Sequence, residues 1–328
     1  MQNFLWIYNP EADFDRYFEM VSDLDLSMIM ANPYMFQNSE FLTRTKQREQ
    51  ELALGLNFPI FEDGEYLSAN SDKYAITAEG EKAKKDWLSF ACPTDEEHIE
   101  IQIEKLKELL DKLHPDYVSL DFIRFFTFWE KVNSDSALLE IEDGCYCPNC
   151  LDLMEKACHI ELQNSDPGWI KENHLKDLGD FRVAYITGLV RKFSSVIKKF
   201  NPEIKIMMKV VPWLNSDFEG ARIKLLGQDY SYLKKYIDVF IPMTYLHTIG
   251  FPPGKISDVI REAEQLTGKE ILPLVQVKKI YDEPPFSIAD FEKQVRYALK
   301  EKTKGIGIFK FEDLVDDKDR YRLLQELI

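Results

Sequence analysis

Short apolar runs alternate with amphipathic stretches along most of this chain. Eight of the runs read as strands, at 4–10, 26–33, 52–61, 116–125, 204–213, 237–247, 270–279 and 305–314. They are apolar without strict alternation, the pattern of parallel strands covered by helices on both faces. Between them lie segments of helical period. The clearest is EEHIEIQIEKLKELLDKLH, 96–114, whose apolar positions recur at i, i+3, i+4 and i+7. A longer helix over 178–200 stops at Asn201-Pro202, because proline cannot continue a helix. DWLSFACPTD, 86–95, reads as a short strand ending in a turn, after an irregular stretch.

Eight strand–helix units predict an α/β protein, a single (β/α)8 TIM barrel over 1–328 with a long insertion at 126–180 after strand 4. An open doubly wound sheet is the alternative. It calls for a glycine-rich phosphate turn after an early strand, and IYNPEAD, 7–13, has none.

Composition narrows the partners. The chain has 328 residues, 45% hydrophobic and 30% charged, as a soluble globular protein does. A net charge of −16 repels phosphate backbones and anionic membrane surfaces. No basic patch with interleaved aromatics offsets it, so nucleic acid is not an expected partner. No apolar run approaches the roughly 20 residues of a membrane span. The first ten residues lack a basic start and a small-residue cleavage site. The expected location is therefore cytoplasmic, or exported with the signal sequence absent from this chain. Aromatics make up 13% of the residues, enough to fill the core and still form platforms for sugar-like rings.

A barrel carries its chemistry at the C-terminal ends of its strands. Asp121, ending the fourth apolar run, is the strongest candidate there, as nucleophile, acid, base or hydroxyl anchor. The competing reading is a structural salt bridge to Arg124 or Lys209. Two-carboxylate chemistry needs a partner. Glu312 ends the last strand on its inward face, and Glu130 follows strand 4 beside Trp129, while Asp217 and Glu219 are weaker candidates. Trp129, Lys209, Trp213, Tyr245, Gln276 and Lys310 are expected to line the pocket, with Arg124 as an orienting group.

Five cysteines, three of them crowded into CYCPNC, do not suit a disulfide framework. Cys147 and Cys150 have C-x-x-C spacing, and Cys145 adds a third thiol. Two thiolates at that spacing hold one tetrahedral metal ion. Cys92, Cys158 or His159 would complete the set. The expected metal is a structural zinc, with no cofactor required for catalysis.

DYVSLDFIRF, 116–125, together with FIPMTY, 240–245, resembles a group of glycoside-hydrolase-like barrel proteins. Their fourth strand reads like DGVHLDYIRFP and their sixth like SPMTYP. FACPTD, SLDFIRFFTFWE and CYCPNCL are similar to sugar hydrolases of this kind that carry a Cys-x-Cys-x-x-Cys loop. The resemblance implies a (β/α)8 fold, acid/base chemistry around Asp121 and a carbohydrate substrate. Phe126 stands where those proteins have proline, and no carboxylate follows PMTY. The expected activity is thus glycoside hydrolysis. A carbohydrate-binding barrel without catalysis, and a barrel enzyme using Lys209 or Lys310 as a Schiff-base nucleophile, are the alternatives.

Overall fold

The computed structural model describes residues 2–301 and 303–328. Eight parallel strands close on themselves: β1 (Phe4–Leu5), β2 (Met28–Ala31), β3 (Ala53–Pro59), β4 (Tyr117–Asp121), β5 (Lys205–Val210), β6 (Val239–Thr244), β7 (Leu274–Gln276) and β8 (Gly307–Phe309). Leu5 pairs with Ile308 and Phe4 with Met28, so β1 joins the last strand to the second. The chain is a (β/α)8 barrel, as the eight apolar runs predict. The run 270–279 holds two strands, because Pro273 has no N–H for the ladder. Glu270–Ile271 pairs with β6, and β7 begins after the proline.

The barrel is packed solid below its rim. A side chain on Gly307 would collide with the Phe4 ring and Leu274. The outer ring forms because each helix has one apolar stripe. Helix α1 (Phe14–Asp23) starts where the Asp13 carboxylate accepts the Arg16 N–H, and it buries Phe14, Tyr17, Phe18 and Val21. Helix α2 (Glu96–Leu113) buries Ile99, Ile103, Leu106 and Leu110 and ends at His114 in the left-handed region. Helix α3 (Leu175–Phe200) begins three residues before the expected 178, and its stripe starts at buried Leu178. No helix among the described residues is long and apolar enough to cross a membrane.

Two long connections cover the C-terminal rim. The one after β3 carries an antiparallel pair, Lys84–Lys85 with Leu88–Ser89, where the sequence suggests a short strand. The one after β4 carries the cysteine loop, and both meet at Gly144, which bridges to Thr77 and to Phe126. Fully buried Asp143 ties this assembly to the barrel wall. Its carboxylate accepts from Lys171 Nζ at 3.1 Å, the Tyr146 hydroxyl at 2.8 Å and Arg182 Nη1 on α3 at 2.5 Å. Removing one member of a buried charge set strands the others and costs about 3–5 kcal/mol. Asp143→Ala should lose that much in urea unfolding, and a loss under about 1 kcal/mol would contradict this role.

Candidate active site

At the rim, β2 to β5 present one hydrogen-bonded row. The Asn57 amide on β3 donates to Asn32 Oδ1 at 2.7 Å and to Asp121 Oδ2 at 3.0 Å. Lys209 Nζ on β5 donates to the same Oδ2 at 2.9 Å, and the Phe122 N–H to Oδ1 at 2.8 Å. Phe122 sits in the left-handed region, with φ of 52°. That turn swings the chain off β4 and brings its own N–H back onto Asp121. A non-glycine residue there is uncommon and marks a locally imposed geometry. The Lys209 ammonium lies 3.6 Å from the centre of the Trp6 ring. Burial lowers its proton affinity and Asp121 opposes the shift.

Asp121 opens into a cavity of about 350 Å³. Glu130 enters it from the loop after β4. Trp129 beside it is fully buried, its ring stacked 5.9 Å from Tyr245, and this anchors the turn. Glu130 is 8% exposed, and its buried Oε2 has no hydrogen-bond partner. Burial pushes its pKa up to about 7; Arg124 opposes the rise and Asp121 adds to it. Two carboxyl groups of one cavity thus sit in opposite surroundings. Asp121 accepts three donors including an ammonium, while Glu130 is buried with no hydrogen-bond partner on Oε2.

The expected residues divide cleanly. Asp121, Glu130, Lys209, Tyr245 and Lys310 line the cavity. Arg124, Trp129, Trp213, Gln276 and Glu312 do not. Arg124 lies behind the wall, its Nη1 donating to the Phe125 and Thr127 carbonyls at 3.2 and 2.9 Å. Burial lowers its pKa to about 10. Trp213 is buried against Phe218, and its carbonyl accepts from Arg222 Nε. Gln276 is spent on the Thr248 hydroxyl and the Lys278 carbonyl. Glu312 Oε1 accepts the Tyr8 and Asn9 N–H groups at 2.7 and 2.6 Å, tying the exits of the first and last strands together. Of the two Schiff-base alternatives, Lys209 has its ammonium engaged by Asp121, and Lys310 lines the cavity.

Sequence reasoning missed Tyr8, Trp87, Phe122, Lys279, Tyr281 and Asp313, which also line the cavity. The Trp87 indole N–H donates to the Tyr281 hydroxyl at 2.9 Å, joining the loops after β3 and β7. An aromatic in a polar, proline-rich loop just past a strand end, as in KKIYDEPP, is the available signal for Tyr281. Glu62, on the loop after β3, was also missed. Burial raises its pKa to about 7, with Asp63 and Asp121 adding to the rise.

Away from the cavity, Cys92, Cys145, Cys147 and Cys150 bring their sulfurs within 4.8 Å of one another. Cys92 Sγ lies 3.7 Å from the sulfurs of both Cys147 and Cys150. A tetrahedron with metal–sulfur bonds of about 2.3 Å has edges of about 3.8 Å. The donor set and its spacing fit one zinc ion. Backbone N–H groups of Ile76 and Cys147 point at Cys145 Sγ, and that of Cys150 at Cys147 Sγ. Cys158, considered as a ligand, turns its thiol to the Asp177 carbonyl instead.

No family model matches this chain, and no curated protein does. Among solved structures it is similar to the PgaB (BpsB) glycoside hydrolase domain from Bordetella bronchiseptica, with a TM-score of 0.71 and 10% identity over 99% of this chain and 98% of that one. It is also similar to the β-galactosidase from Bacillus circulans sp. alkalophilus, with a TM-score of 0.68, 14% identity and coverage of 100% and 55%. The β-galactosidase from the psychrophilic Marinomonas ef1 gives 0.67 and 10%, with coverage of 95% and 54%. The chain thus spans about half the length of these β-galactosidases. What it has in common with these glycoside hydrolases is the (β/α)8 barrel.

Proposed function

We propose that this protein is a glycoside hydrolase acting on a carbohydrate or glycoconjugate, with Glu130 as proton donor and Asp121 as the anionic carboxylate. The observation that carries this is the split between the two carboxyl groups of one cavity. Glycosidic cleavage needs one protonated acid at the leaving oxygen and one ionised carboxylate at the sugar ring. Environments that push two carboxyl groups apart assign those roles. Burial keeps the Glu130 proton on up to near neutral pH, as a donor requires. Lys209, Asn57 and the Phe122 N–H all donate to the Asp121 carboxylate, Lys209 as its ion-pair partner. Tyr245, Tyr281 and Trp87 supply apolar faces for the ring. The glycoside hydrolases that share the barrel support the same class of reaction.

The pH profile tests the assignment. The kcat/KM should fall as pH rises through about 7, where Glu130 loses its proton. Glu130→Gln should cut turnover by about 10²–10⁴-fold, and most for substrates with poor leaving groups. Stability should respond as well. Because the folded pKa lies above the ordinary value of 4.5, the folded state holds the extra proton between pH 4.5 and about 7. Stability is therefore fully present below that window and declines as pH rises through it. In Glu130→Gln the decline should flatten, and an unchanged slope in urea titrations would remove Glu130 as its source.

We also propose that the four cysteines hold one structural zinc. When bound, zinc supplies a crosslink between the loops after β3 and β4 and takes no part in the reaction.

A further inference from the structure

We propose that the sugar bound in this cavity carries an anionic group, a carboxylate or a sulfate, held between Lys279 and Lys310. This deepens the glycoside hydrolase reading of the same cavity and rests on it.

The argument starts from charge. The chain carries 57 acidic against 41 basic residues, so a cavity with spare cations runs against its composition. The charged or ionisable residues lining the cavity, apart from tyrosine, are Asp121, Glu130, Asp313, Lys209, Lys279 and Lys310. Asp121 and Lys209 cancel at 2.9 Å. Glu130 is buried and keeps its proton up to about pH 7. Asp313 is the remaining acid, near enough to Lys310 to feel its charge. Two lysines face that one acid, and neither makes a salt bridge among the described residues.

Both are held at the rim. Lys310 follows β8 directly, its ammonium 5.8 and 5.9 Å from the Tyr8 and Phe309 ring centres, two rings that line the cavity. Lys279 precedes a turn pinned by Glu283, whose carboxylate accepts the Ile280 and Tyr281 N–H groups at 2.6 and 2.7 Å. Elsewhere on the molecule lysines commonly meet carboxylates, as Lys85 meets Glu142 and Lys255 meets Asp217. Two lysines facing a single acid, with no salt bridge to it, leave a counter-ion to be supplied by the ligand. A neutral sugar would leave that charge unanswered, and an amino sugar would be repelled.

Calorimetric binding to the intact protein tests this without relying on turnover. The probes are glucuronides and galacturonides, their neutral glucoside and galactoside counterparts, and 6-sulfated glycosides. Acidic probes should bind at least about 10-fold tighter than neutral ones, the size of a charge-assisted contact. Added salt should erode that margin, and Lys279→Gln/Lys310→Gln should abolish it while leaving the melting temperature in place. The uronide and sulfate arms identify the anion. Equal binding of acidic and neutral probes, or no binding of any acidic probe, overturns the proposal. So does a margin that survives the double variant. Turnover is scored separately. Acidic probes bound but never cleaved would count against hydrolysis and leave the lysine site standing. Acidic and neutral glycosides cleaved equally well, with equal affinity, would do the reverse.

Discussion

Asp121→Asn should lower kcat on any aryl glycoside the protein cleaves by about 10²–10⁴-fold, with a much smaller change in KM. The substitution is nearly isosteric and keeps one acceptor oxygen, for either the Phe122 N–H or the Asn57 amide but not both, and it removes the negative charge. Two consequences separate. The chemistry loses the ionised carboxylate on which the proposed reaction depends. The fold loses the partner of Lys209, whose ammonium is buried 2.9 Å away. Stranding one half of a buried pair costs about 3–5 kcal/mol, so the variant should also melt earlier. A second variant distinguishes the two effects. Asp121→Asn with Lys209→Met removes both charges, and swapping a buried pair for apolar groups is often neutral for stability. That protein should regain its melting temperature and stay inactive. Turnover at the original rate in either variant would take Asp121 out of the mechanism.

Metal removal should have the second large effect. Protein purified under reducing conditions without chelator should carry one zinc per chain, and Cys147→Ser should carry much less. Zinc binding to small four-ligand peptides contributes about 10–16 kcal/mol of apparent free energy. A barrel that folds around its own core will depend on the metal for less than that. The loss should concentrate in the covering loops. Phe126 and Gly144 exchange backbone hydrogen bonds at 3.0 and 3.1 Å, four residues before Glu130 and one before Cys145. Stripping the metal should therefore loosen the Glu130 turn and lower activity together with the melting temperature. A preparation free of metal, with four promptly reactive thiols and unaltered stability, would rule the zinc out.

The barrel was legible because its cause is local. Each strand is an apolar run that needs two covered faces, each helix has a stripe with a 3.6-residue period, and eight such units admit one common closed arrangement. Asp121 was legible for a related reason, since a carboxylate at the end of so apolar a strand needs a partner or a purpose. The trio in CYCPNC was visible for its spacing. Other features were not local. Glu312 and Glu130 were both candidate partners in sequence, one ending the last strand and one just beyond the fourth. In the fold, Glu312 caps the Tyr8 and Asn9 backbone, while Glu130 is drawn into the cavity by the Trp129 ring stacked on Tyr245. Trp213 and Gln276 sit at strand ends with inward-looking patterns, yet neighbouring loops consume them. Cys92 lies 53 residues before Cys145, and no spacing rule reaches that far.

The sequence by itself therefore determined the architecture, the rim where the cavity opens, one carboxylate of that rim and three thiols of the four-cysteine cluster. Each of these follows from periodicity or from short-range spacing. Only the tertiary structure decided which acids share the cavity with Asp121, that Lys209 rather than Arg124 is its partner, that Cys92 is the fourth thiol of the cluster and that Lys279 and Lys310 line the cavity with no salt bridge among the described residues. Those facts depend on where loops from different strands meet. The burial and pairing that set the charge of a group are properties of that meeting and of no single segment.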